Sequence, residues 1–366
     1  MKNIPFFDYP AIFNSNKNDL IKIFEEVASR GAFILQEELA NFEERLASFT
    51  GSNYAVGVGN ATDALQLLLY AYGIKENDEI LICSHTMIAT ASAINFLGAK
   101  PVPVEAGKDH LIDVSKIEEK ITDKTVAIMP TQLNGRIADM DSIAQIADEN
   151  KLVIFEDSAQ ALGAKYKNTH AGNFGIGGCL SFYPAKILGC LGDGGAVLCN
   201  DEEIYKSILL LRDHGRDKDG DVPIWGFNTR LDNIQAAFLN FFMDSFEKTI
   251  NRRREIASLY NSYLSEIEEL QLPPPPDNSI NFDVFQNYEI QAESRDDLKA
   301  FLSKNGVGTL IQWGGKAIHQ FKALGFKDHL PITDLMFSKL LMLPLNLTLS
   351  NKDIDYICSL IKNFYK

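Results

Sequence analysis

Short apolar runs alternate with longer amphipathic stretches through the first two thirds of this sequence. The apolar runs are rich in β-branched residues and predict strands at 54–58, 79–82, 100–103, 126–130, 153–156, 179–182 and 195–199. Helical periodicity lies between them, at 61–72, 88–97, 140–150 and 202–211. Because strands that alternate with helices pair in parallel and are covered on both faces, the pattern predicts an α/β fold with a mainly parallel seven-stranded sheet sandwiched by helices.

The pattern changes after residue 245. A long helical stretch at 231–267, which we expect to bridge two domains, is followed by the stiff connector LPPPP at 272–276. Beyond it we predict a strand at 282–292, a helix at 296–305, a strand-like segment at 308–313 and helices at 332–341 and 352–364. The expected organisation is a large domain at 1–245 and a small C-terminal α+β domain at 246–366, with the N-terminal segment a candidate to pack on the small domain.

Composition narrows the class of protein. With 366 residues, 46% hydrophobic and 23% charged, the chain has the balance of an ordinary globular protein. Its net charge of −14 argues against nucleic-acid binding. No apolar run approaches the roughly 20 residues that span a bilayer, and the N-terminus does not have the pattern of a signal peptide, so we expect a cytoplasmic protein without a membrane partner. The five cysteines form no metal-type or disulfide-type spacing, and no metal site is expected.

One lysine stands in an unusual context. Lys186 lies within SFYPAKILGCLGDGGA, directly before a glycine-rich run. Only an amine forms an imine with an aldehyde cofactor, and pyridoxal phosphate is bound in this way before its ring acts as an electron sink. Most lysines are solvated surface charges, so this interpretation depends on the neighbouring motifs.

Three further positions follow predicted strands. GNATDA at 59–64 opens a helix, and its exposed amides with the Thr62 hydroxyl form a candidate phosphate site. Asp157, in EDSAQ at 156–160, ends a hydrophobic strand, where a carboxylate can pair with a protonated ring nitrogen. Ser181 ends the next strand and offers another hydroxyl for the phosphate. Taken alone, Thr62 and Asp157 are more simply explained by ordinary helix capping.

The order of these motifs favours the cofactor interpretation. A phosphate-type helix start comes first, then an acid at a strand end, then Ser181 and Lys186 about 25–30 residues later, which is the length of one strand–helix–strand step. The set therefore predicts a pyridoxal-phosphate site. A later loop, GFNTRLD at 226–232, is explained by turn and cap chemistry when it is considered alone.

The chain resembles the DegT/StrS-type nucleotide-sugar aminotransferases, which are pyridoxal-phosphate enzymes of the aspartate-aminotransferase fold, also called fold type I. The resemblance covers nearly the whole length. It is carried by FIL at 33–35, FE at 42–43, NATDAL at 60–65, SHTMIATASAI at 84–94, GRIADMDSI at 135–143, EDSAQALGA at 156–164, SFYPAKILGCLGDGGAV at 181–197 and GFNTRLDNIQAAFL at 226–239.

This resemblance implies roles for individual residues. Lys186 would be the Schiff-base lysine and the proton carrier, Asp157 would pair with the pyridine nitrogen, and Gln160 would lie near the phenolic oxygen of the ring. The expected phosphate contacts are Ala61, Thr62 and Ser181. Asn228 would reach the phosphate of the cofactor in the partner subunit, which implies a homodimer with shared active sites.

Several positions depart from the family's usual pattern. Ala61 replaces a glycine, a change that a backbone-amide contact tolerates. Met87 stands where an aromatic residue normally stacks on the cofactor ring, and its thioether can pack there less rigidly. Gln132 and Asn134 replace a histidine and a tyrosine on a loop that faces substrate. Lys186 itself favours amino transfer, because relatives that deoxygenate sugars carry a histidine at this position.

We therefore expect a ping-pong transamination from L-glutamate to a dTDP- or UDP-linked 3- or 4-keto-6-deoxyhexose, in the synthesis of amino sugars for surface glycans such as lipopolysaccharide. The resemblance places His319 at the sugar-binding mouth. Surface salt bridges explain the basic residues near the mouth, among them Arg212, at least as well as substrate contacts do. Two alternatives stay open: an aminotransferase acting on a non-nucleotide ketone such as a cyclitol, and a sensor or regulator that keeps the fold without turnover. The full set of candidate substrate contacts is Gln132, Asn134, Arg230, Lys316 and His319.

Overall fold

A computed structural model describes residues 2–366, which form three β-sheets and eleven α-helices. The helices are α1 (Tyr9–Ser29), α2 (Glu37–Thr50), α3 (Ala61–Tyr72), α4 (Ile88–Asn95), α5 (Met140–Asn150), α6 (Glu202–Arg212), α7 (Asn233–Met243), α8 (Phe246–Leu264), α9 (Arg295–Lys304), α10 (Pro331–Lys339) and α11 (Asn351–Phe364). The strands are β1 (Tyr54–Val58), β2 (Glu79–Cys83), β3 (Lys100–Val104), β4 (Thr125–Met129), β5 (Val153–Asp157), β6 (Lys165–Tyr166), β7 (Thr169–His170), β8 (Gly177–Ser181), β9 (Gly195–Cys199), β10 (Leu270–Gln271), β11 (Asn281–Phe282), β12 (Tyr288–Ala292) and β13 (Leu340–Leu343).

The central sheet has seven strands in the order β1-β9-β8-β5-β4-β2-β3. The pairs β2–β3, β2–β4, β4–β5 and β5–β8 are parallel, whereas β9 runs antiparallel to both of its neighbours. All its strands except β9 therefore point the same way, and one apolar cluster lies on each face of the sheet. The predicted mainly parallel seven-stranded α/β sheet is confirmed, with strand limits within two residues of those expected.

Four predicted elements differ from the structure. The strand-like segment expected at 308–313 is irregular, with isolated bridges at Val307 and Leu310, because the chain turns into a 3₁₀ helix at Gln312. The helix expected at 231–267 is broken at 244–245 into α7 and α8, because Phe246 packs into the core of the large sheet while the later turns of α8 pack elsewhere. The helix expected at 332–341 ends at Lys339, since the next four residues pair with β12 as a strand. The strand expected at 282–292 is interrupted by an irregular segment at 283–287. The helices α1 and α2 were not predicted.

A smaller unit is built around the sheet β10-β12-β13. The helices α8, α9 and α11 contribute to its own apolar core, which includes Tyr260, Tyr288 and Ile357. Residues near the N-terminus join this unit, because Ile4 forms a parallel bridge with Val307. The predicted division between residues 245 and 246 falls at the start of α8 and stays a prediction.

The topology collects loops at one edge of the central sheet. Because parallel strands end at the same edge, the segments that follow β1, β2, β4, β5 and β8 lie side by side. Gly195 allows the start of α3 to approach β9 closely, since a Cβ at this position would lie 2.4 Å from the carbonyl carbon of Asn60. Within the described chain, no helix combines the length and apolarity needed to cross a membrane.

Candidate active site

A cavity of about 750 Å³ lies at this edge of the sheet. Its wall is formed by the first turn of α3 and by the segments that follow β2, β4, β5 and β8. Trp313 of the smaller unit closes another part of the wall. Every residue predicted to bind the cofactor, except Asn228, lines this cavity: Ala61, Thr62, Met87, Asp157, Gln160, Ser181 and Lys186.

Both oxygens of the Asp157 carboxylate accept hydrogen bonds. Its Oδ2 accepts a hydrogen bond of 2.6 Å from the Thr90 hydroxyl, and its Oδ1 accepts one of 3.2 Å from the Ala159 amide and a longer one of 3.5 Å from the Cys179 thiol. The side chain is buried at the carboxyl end of β5. A fixed carboxylate at this position can pair with a protonated pyridine nitrogen.

A chain of threonine hydroxyls supports Asp157 from behind. Thr131 donates to Thr86 at 2.8 Å, and Thr86 lies 2.7 Å from Thr90. Because the Thr90 hydrogen is donated to the carboxylate, Thr86 must donate to Thr90. All three hydroxyls therefore donate in the same direction, and this series of hydrogen bonds ends at Asp157. The sequence reasoning missed this support, although two of these threonines stand in the motif SHTMIATASAI.

Lys186 lies in the loop that follows β8. Burial lowers the pKa of its amine to about 8, although the negative charge of Asp157 and the thiol of Cys179 act in the opposite direction. The amine is therefore partly neutral close to neutral pH, which is the state required of a nucleophile and of a proton acceptor.

The loop around Lys186 is clamped by one side chain of the smaller unit. Gln286 accepts a hydrogen bond of 2.7 Å from the Ile187 amide and donates one of 2.8 Å to the Ala185 carbonyl. Both neighbours of Lys186 are thus bound to the same amide group. Sequence reasoning missed Gln286, because it lies a hundred residues farther along the chain in an irregular segment between β11 and β12.

The first turn of α3 provides the opposite end of the cavity. Asn60 caps the helix by accepting a hydrogen bond of 2.9 Å from the Asp63 amide. The amides of Ala61 and Thr62, in the first turn, have no acceptor within the helix and can bind an anion with the favourable end of the helix dipole. Ser181 lies on the same wall.

These groups fit pyridoxal phosphate at three points. Lys186 offers an amine for the aldehyde, Asp157 offers a carboxylate for the ring nitrogen, and the start of α3 offers amides for the phosphate. Met87 and Trp313 line the cavity between these points. Met87 is 45% exposed, so it is free to pack against a bound ligand.

Gln160 is held at the cavity wall by its own network. Its Oε1 accepts hydrogen bonds from the Asn134 amide at 2.9 Å and from the Asn287 side chain at 3.3 Å. Its Nε2 remains available to an acceptor in the cavity. The predicted role of Gln160 beside the phenolic oxygen of the cofactor stays a prediction.

None of the five predicted substrate residues lines this cavity. Gln132 is buried and donates to Glu156 at 2.6 Å. The side chain of Asn134 binds Glu289 at 3.0 Å. His319 is also buried, with Ser84 at 2.7 Å from one ring nitrogen and Asp334 at 2.9 Å from the other. Arg230 pairs with Asp213, and Lys316 is exposed outside the cavity.

Asn228 lies apart from the cavity on an exposed loop. It accepts a hydrogen bond of 2.5 Å from Arg230 and is exposed. Arg212, another candidate near the mouth, is instead buried against Glu43 and the Gly57 carbonyl. Arg212 therefore ties α2 to the end of β1.

A lysine, a carboxylate and a free helix N-terminus at the carboxyl edge of a mainly parallel sheet define a pyridoxal-phosphate enzyme of fold type I. Residues 14–362 match the model of the DegT/DnrJ/EryC1/StrS aminotransferase family, and the chain belongs to this family. It is therefore a pyridoxal-phosphate-dependent aminotransferase. The cofactor and the class of reaction predicted from the sequence are confirmed.

Two relatives span almost the same length as this chain. The "pleiotropic regulatory protein" of Geobacillus stearothermophilus is 33% identical, and the match covers 100% of this chain and 99% of the relative. The "UDP-2-acetamido-2-deoxy-3-oxo-D-glucuronate aminotransferase" of Pseudomonas aeruginosa is 34% identical over 93% of this chain and 94% of the relative.

A solved structure shares the fold over its full length. DesV of S. venezuelae, determined in complex with a ketimine intermediate, superposes with a TM-score of 0.95. The two chains are 32% identical, and the match covers 100% of this chain and 99% of DesV.

The lowered pKa of Lys186 predicts how covalent attachment of the cofactor depends on pH. Since only the neutral amine attacks the aldehyde, attachment of pyridoxal phosphate to cofactor-free protein should accelerate as the pH rises toward about 8 and then level off. The measurement is the rate at which the visible absorbance appears after mixing. A rate that still climbs about tenfold per unit up to about pH 10, as a solvated lysine would give, would contradict this account.

The threonine chain predicts a defect in cofactor binding. Thr90→Val keeps the shape of the side chain but removes the donor to Asp157, and a hydrogen bond to a charged group contributes about 1.5–3 kcal/mol. We expect pyridoxal phosphate to bind about tenfold or more weakly in an equilibrium titration. Ser92→Ala, on the same helix, is the matched control and should bind as the wild type does. Equal affinity of both variants for pyridoxal phosphate would show that Thr90 does not support cofactor binding.

Proposed function

We propose that this protein transfers the amino group of L-glutamate to the keto carbon of a dTDP- or UDP-linked 3- or 4-keto-6-deoxyhexose. The observation that carries the proposal is the lowered pKa of Lys186 in a cavity that it shares with Asp157. At about 750 Å³ the cavity lies within the range of small-molecule sites, roughly 300–1,000 Å³, and so has room for a cofactor and part of a substrate.

Lys186 performs the proton transfers in this proposal. Pyridoxal phosphate, when bound, supplies an electron sink for the bond that breaks at the amino-bearing carbon. In the first half-reaction the Nζ of Lys186 accepts the proton of the α-carbon of L-glutamate. In the second it delivers a proton to the sugar carbon that receives the amine. A pKa of about 8 suits both directions, because the amine and the ammonium are both populated near neutral pH.

Asp157 and the start of α3 set the orientation. Asp157 would hold the pyridine nitrogen in its protonated form, while Ala61, Thr62 and Ser181 would hold the phosphate. Because both ends of the cofactor would be held, the reacting carbon would keep a fixed orientation relative to Lys186. Gln160 would act beside the phenolic oxygen.

The sugar would enter between the side chains at the mouth of the cavity. Tyr183, which is 53% exposed, and Trp313 line the wall and offer aromatic surface to a sugar ring or a nucleotide base. The relative from Pseudomonas aeruginosa, whose name specifies a UDP-linked 3-oxo sugar, supports the nucleotide and favours position 3. The direct substrate contacts proposed for Gln132, Asn134, Arg230 and His319 would require these side chains to exchange their present partners. The contact proposed for Lys316 would require only that its exposed side chain turn toward the mouth.

We further propose a homodimer in which Asn228 reaches the cofactor phosphate of the partner subunit. Trp225, three residues earlier on the same loop, is 90% exposed, and Val222 is 60% exposed. Large apolar side chains that are this exposed on one loop are typical of a contact surface. We place the enzyme in the cytoplasm, in the synthesis of amino sugars for surface glycans such as lipopolysaccharide.

An assay of amino transfer from L-glutamate to different ketones distinguishes two other functions. An aminotransferase for a cyclitol would accept L-glutamate but reject every sugar nucleotide. A regulator without turnover, an alternative that the name of the Geobacillus relative makes concrete, would form no 2-oxoglutarate with any ketone. The intact pair of Lys186 and Asp157 favours an enzyme.

The test is a screen of dTDP- and UDP-linked 3-keto and 4-keto sugars with L-glutamate and the purified protein. We expect one sugar nucleotide to gain an amine, identified by mass and NMR, with one equivalent of 2-oxoglutarate. Lys186→Ala should lower the rate by at least about a hundredfold, whereas Lys304→Ala, an exposed lysine away from the cavity, should leave it unchanged. Production of 2-oxoglutarate with a cyclitol ketone alone would overturn the proposed substrate, and turnover by Lys186→Ala would overturn the role of the lysine.

A further inference from the structure

A second cluster of chemically reactive side chains lies outside the cofactor cavity. His85, His110 and Glu289 are all buried, and one ligand-type atom from each lies within 4.8 Å of the other two. His85 follows β2, His110 lies in the loop after β3, and Glu289 is on β12 of the smaller unit. The cluster therefore joins the two sheets at a point that the transamination does not use.

The tautomer of His85 leaves a lone pair without a partner. Its Nδ1 lies 3.0 Å from the carbonyl oxygen of His110, which can only accept, so Nδ1 carries the hydrogen. The bare Nε2 then faces the Oε2 of Glu289 at 3.5 Å, and it has no hydrogen-bond partner in the described chain. In a buried site these two atoms can be joined only by a proton or by a metal cation between them.

The three ligand atoms all lie within 4.8 Å of one another, and two of the three distances between them are close to those in a metal site. Glu289 Oε2 lies 3.0 Å from His110 Nδ1 and 3.5 Å from His85 Nε2. Ligand atoms about 3.3 Å apart are what tetrahedral bonds of about 2.0–2.2 Å to zinc require. Two imidazoles and one carboxylate are a donor set that divalent first-row transition metals prefer.

The surroundings supply the outer contacts that such sites need. His85 donates its other ring hydrogen to a carbonyl, which fixes Nε2 as the ligand atom. The free oxygen of Glu289 accepts a hydrogen bond of 2.8 Å from Gln312. Gln291 donates at 3.1 Å to the Nε2 of His110, so the Nδ1 of His110 carries a hydrogen, which it donates to Glu289 and must release when a metal binds there. His85 and Glu289 are therefore oriented as ligands by contacts on their far sides.

A small cavity gives access to the cluster. Its volume is about 40 Å³, and both His110 and Glu289 line it. Its outer wall includes Lys108 and Pro273. A water molecule occupies about 30 Å³ in the liquid, so there is room for a fourth, water ligand.

We propose that His85, His110 and Glu289 bind one divalent transition-metal cation, for which Zn²⁺ is the test ion. The ion ties the loops after β2 and β3 to the smaller unit. It also holds Glu289, which binds the side chain of Asn134 at 3.0 Å beside the cofactor cavity. The inference rests on the geometry of these three side chains and does not depend on the proposed sugar substrate.

The experiment measures zinc in the untagged, cofactor-loaded protein after removal of metals and dialysis against buffered Zn²⁺. We expect one zinc per chain to survive gel filtration and a competition titration with a chromophoric chelator to give a dissociation constant at or below about 1 μM. The midpoint of thermal unfolding should rise with added Zn²⁺. No retained zinc in the wild-type protein would overturn the proposal.

Two variants separate this site from adventitious binding. Glu289→Gln removes one ligand with little change of shape and should weaken zinc binding by about a hundredfold or more. His329→Asn changes an exposed histidine and should bind zinc as the wild type does. Glu289→Gln keeps the cofactor site, so zinc that binds to the cofactor itself would still bind to this variant. Equal zinc affinity of Glu289→Gln and His329→Asn would overturn the assignment.

A spectroscopic measurement on the wild type covers the case in which Glu289→Gln does not fold. Co²⁺ in a four-coordinate site gives visible bands much stronger than those of the hydrated ion, and they can be recorded on protein whose cofactor is kept in the pyridoxamine form. We expect these bands to saturate at one Co²⁺ per chain and to be lost when Zn²⁺ is added. A spectrum identical to that of hydrated Co²⁺ would contradict the site.

Discussion

The parallel pairing of β5 with β8 is the constraint on which the active site depends. It places Phe155, Glu156 and Asp157 opposite Gly177, Gly178 and Cys179. Gly178 favours this close pairing, since a Cβ there would lie 3.0 Å from the Cβ of Glu156, its partner on β5. The pairing sets the carboxylate of Asp157 beside the strand whose continuation carries Lys186. Backbone pairing thus sets the position of Asp157 beside β8, and the side chain of Gln286 then fixes the loop of Lys186.

Adjacent residues of β5 serve different purposes because successive side chains of a strand point to opposite faces. Asp157 points toward the cofactor cavity, whereas Glu156 points the other way into the core. Burial raises the pKa of Glu156 to about 7, although the Phe174 amide and Gln132 donate hydrogen bonds to it. This arrangement explains why Gln132, which the family resemblance placed near substrate, is instead directed inward to satisfy a buried carboxyl group.

The sequence predicted the sheet and several residues that line the cavity, because both depend on local pattern. Each strand of the large sheet is a short apolar run, and Thr62, Asp157 and Lys186 each follow one within a few residues. Contacts between distant segments could not be predicted in this way. Gln286 clamps the loop of Lys186 from a hundred residues away. His85 lies 25 positions before His110 and 204 before Glu289, so no spacing motif in the sequence indicates their cluster. The burial of His319 depends likewise on Ser84, on the other unit.

The central claim is that Lys186 is the residue to which pyridoxal phosphate attaches. The most direct measurement is borohydride reduction of the cofactor-loaded protein, followed by digestion and peptide mapping by mass spectrometry. The account predicts a reduced phosphopyridoxyl group on the peptide that contains SFYPAKILGCLGDGG, with fragment ions that place it on Lys186. Attachment to another lysine, or no modified peptide from protein that is saturated with cofactor, would contradict it.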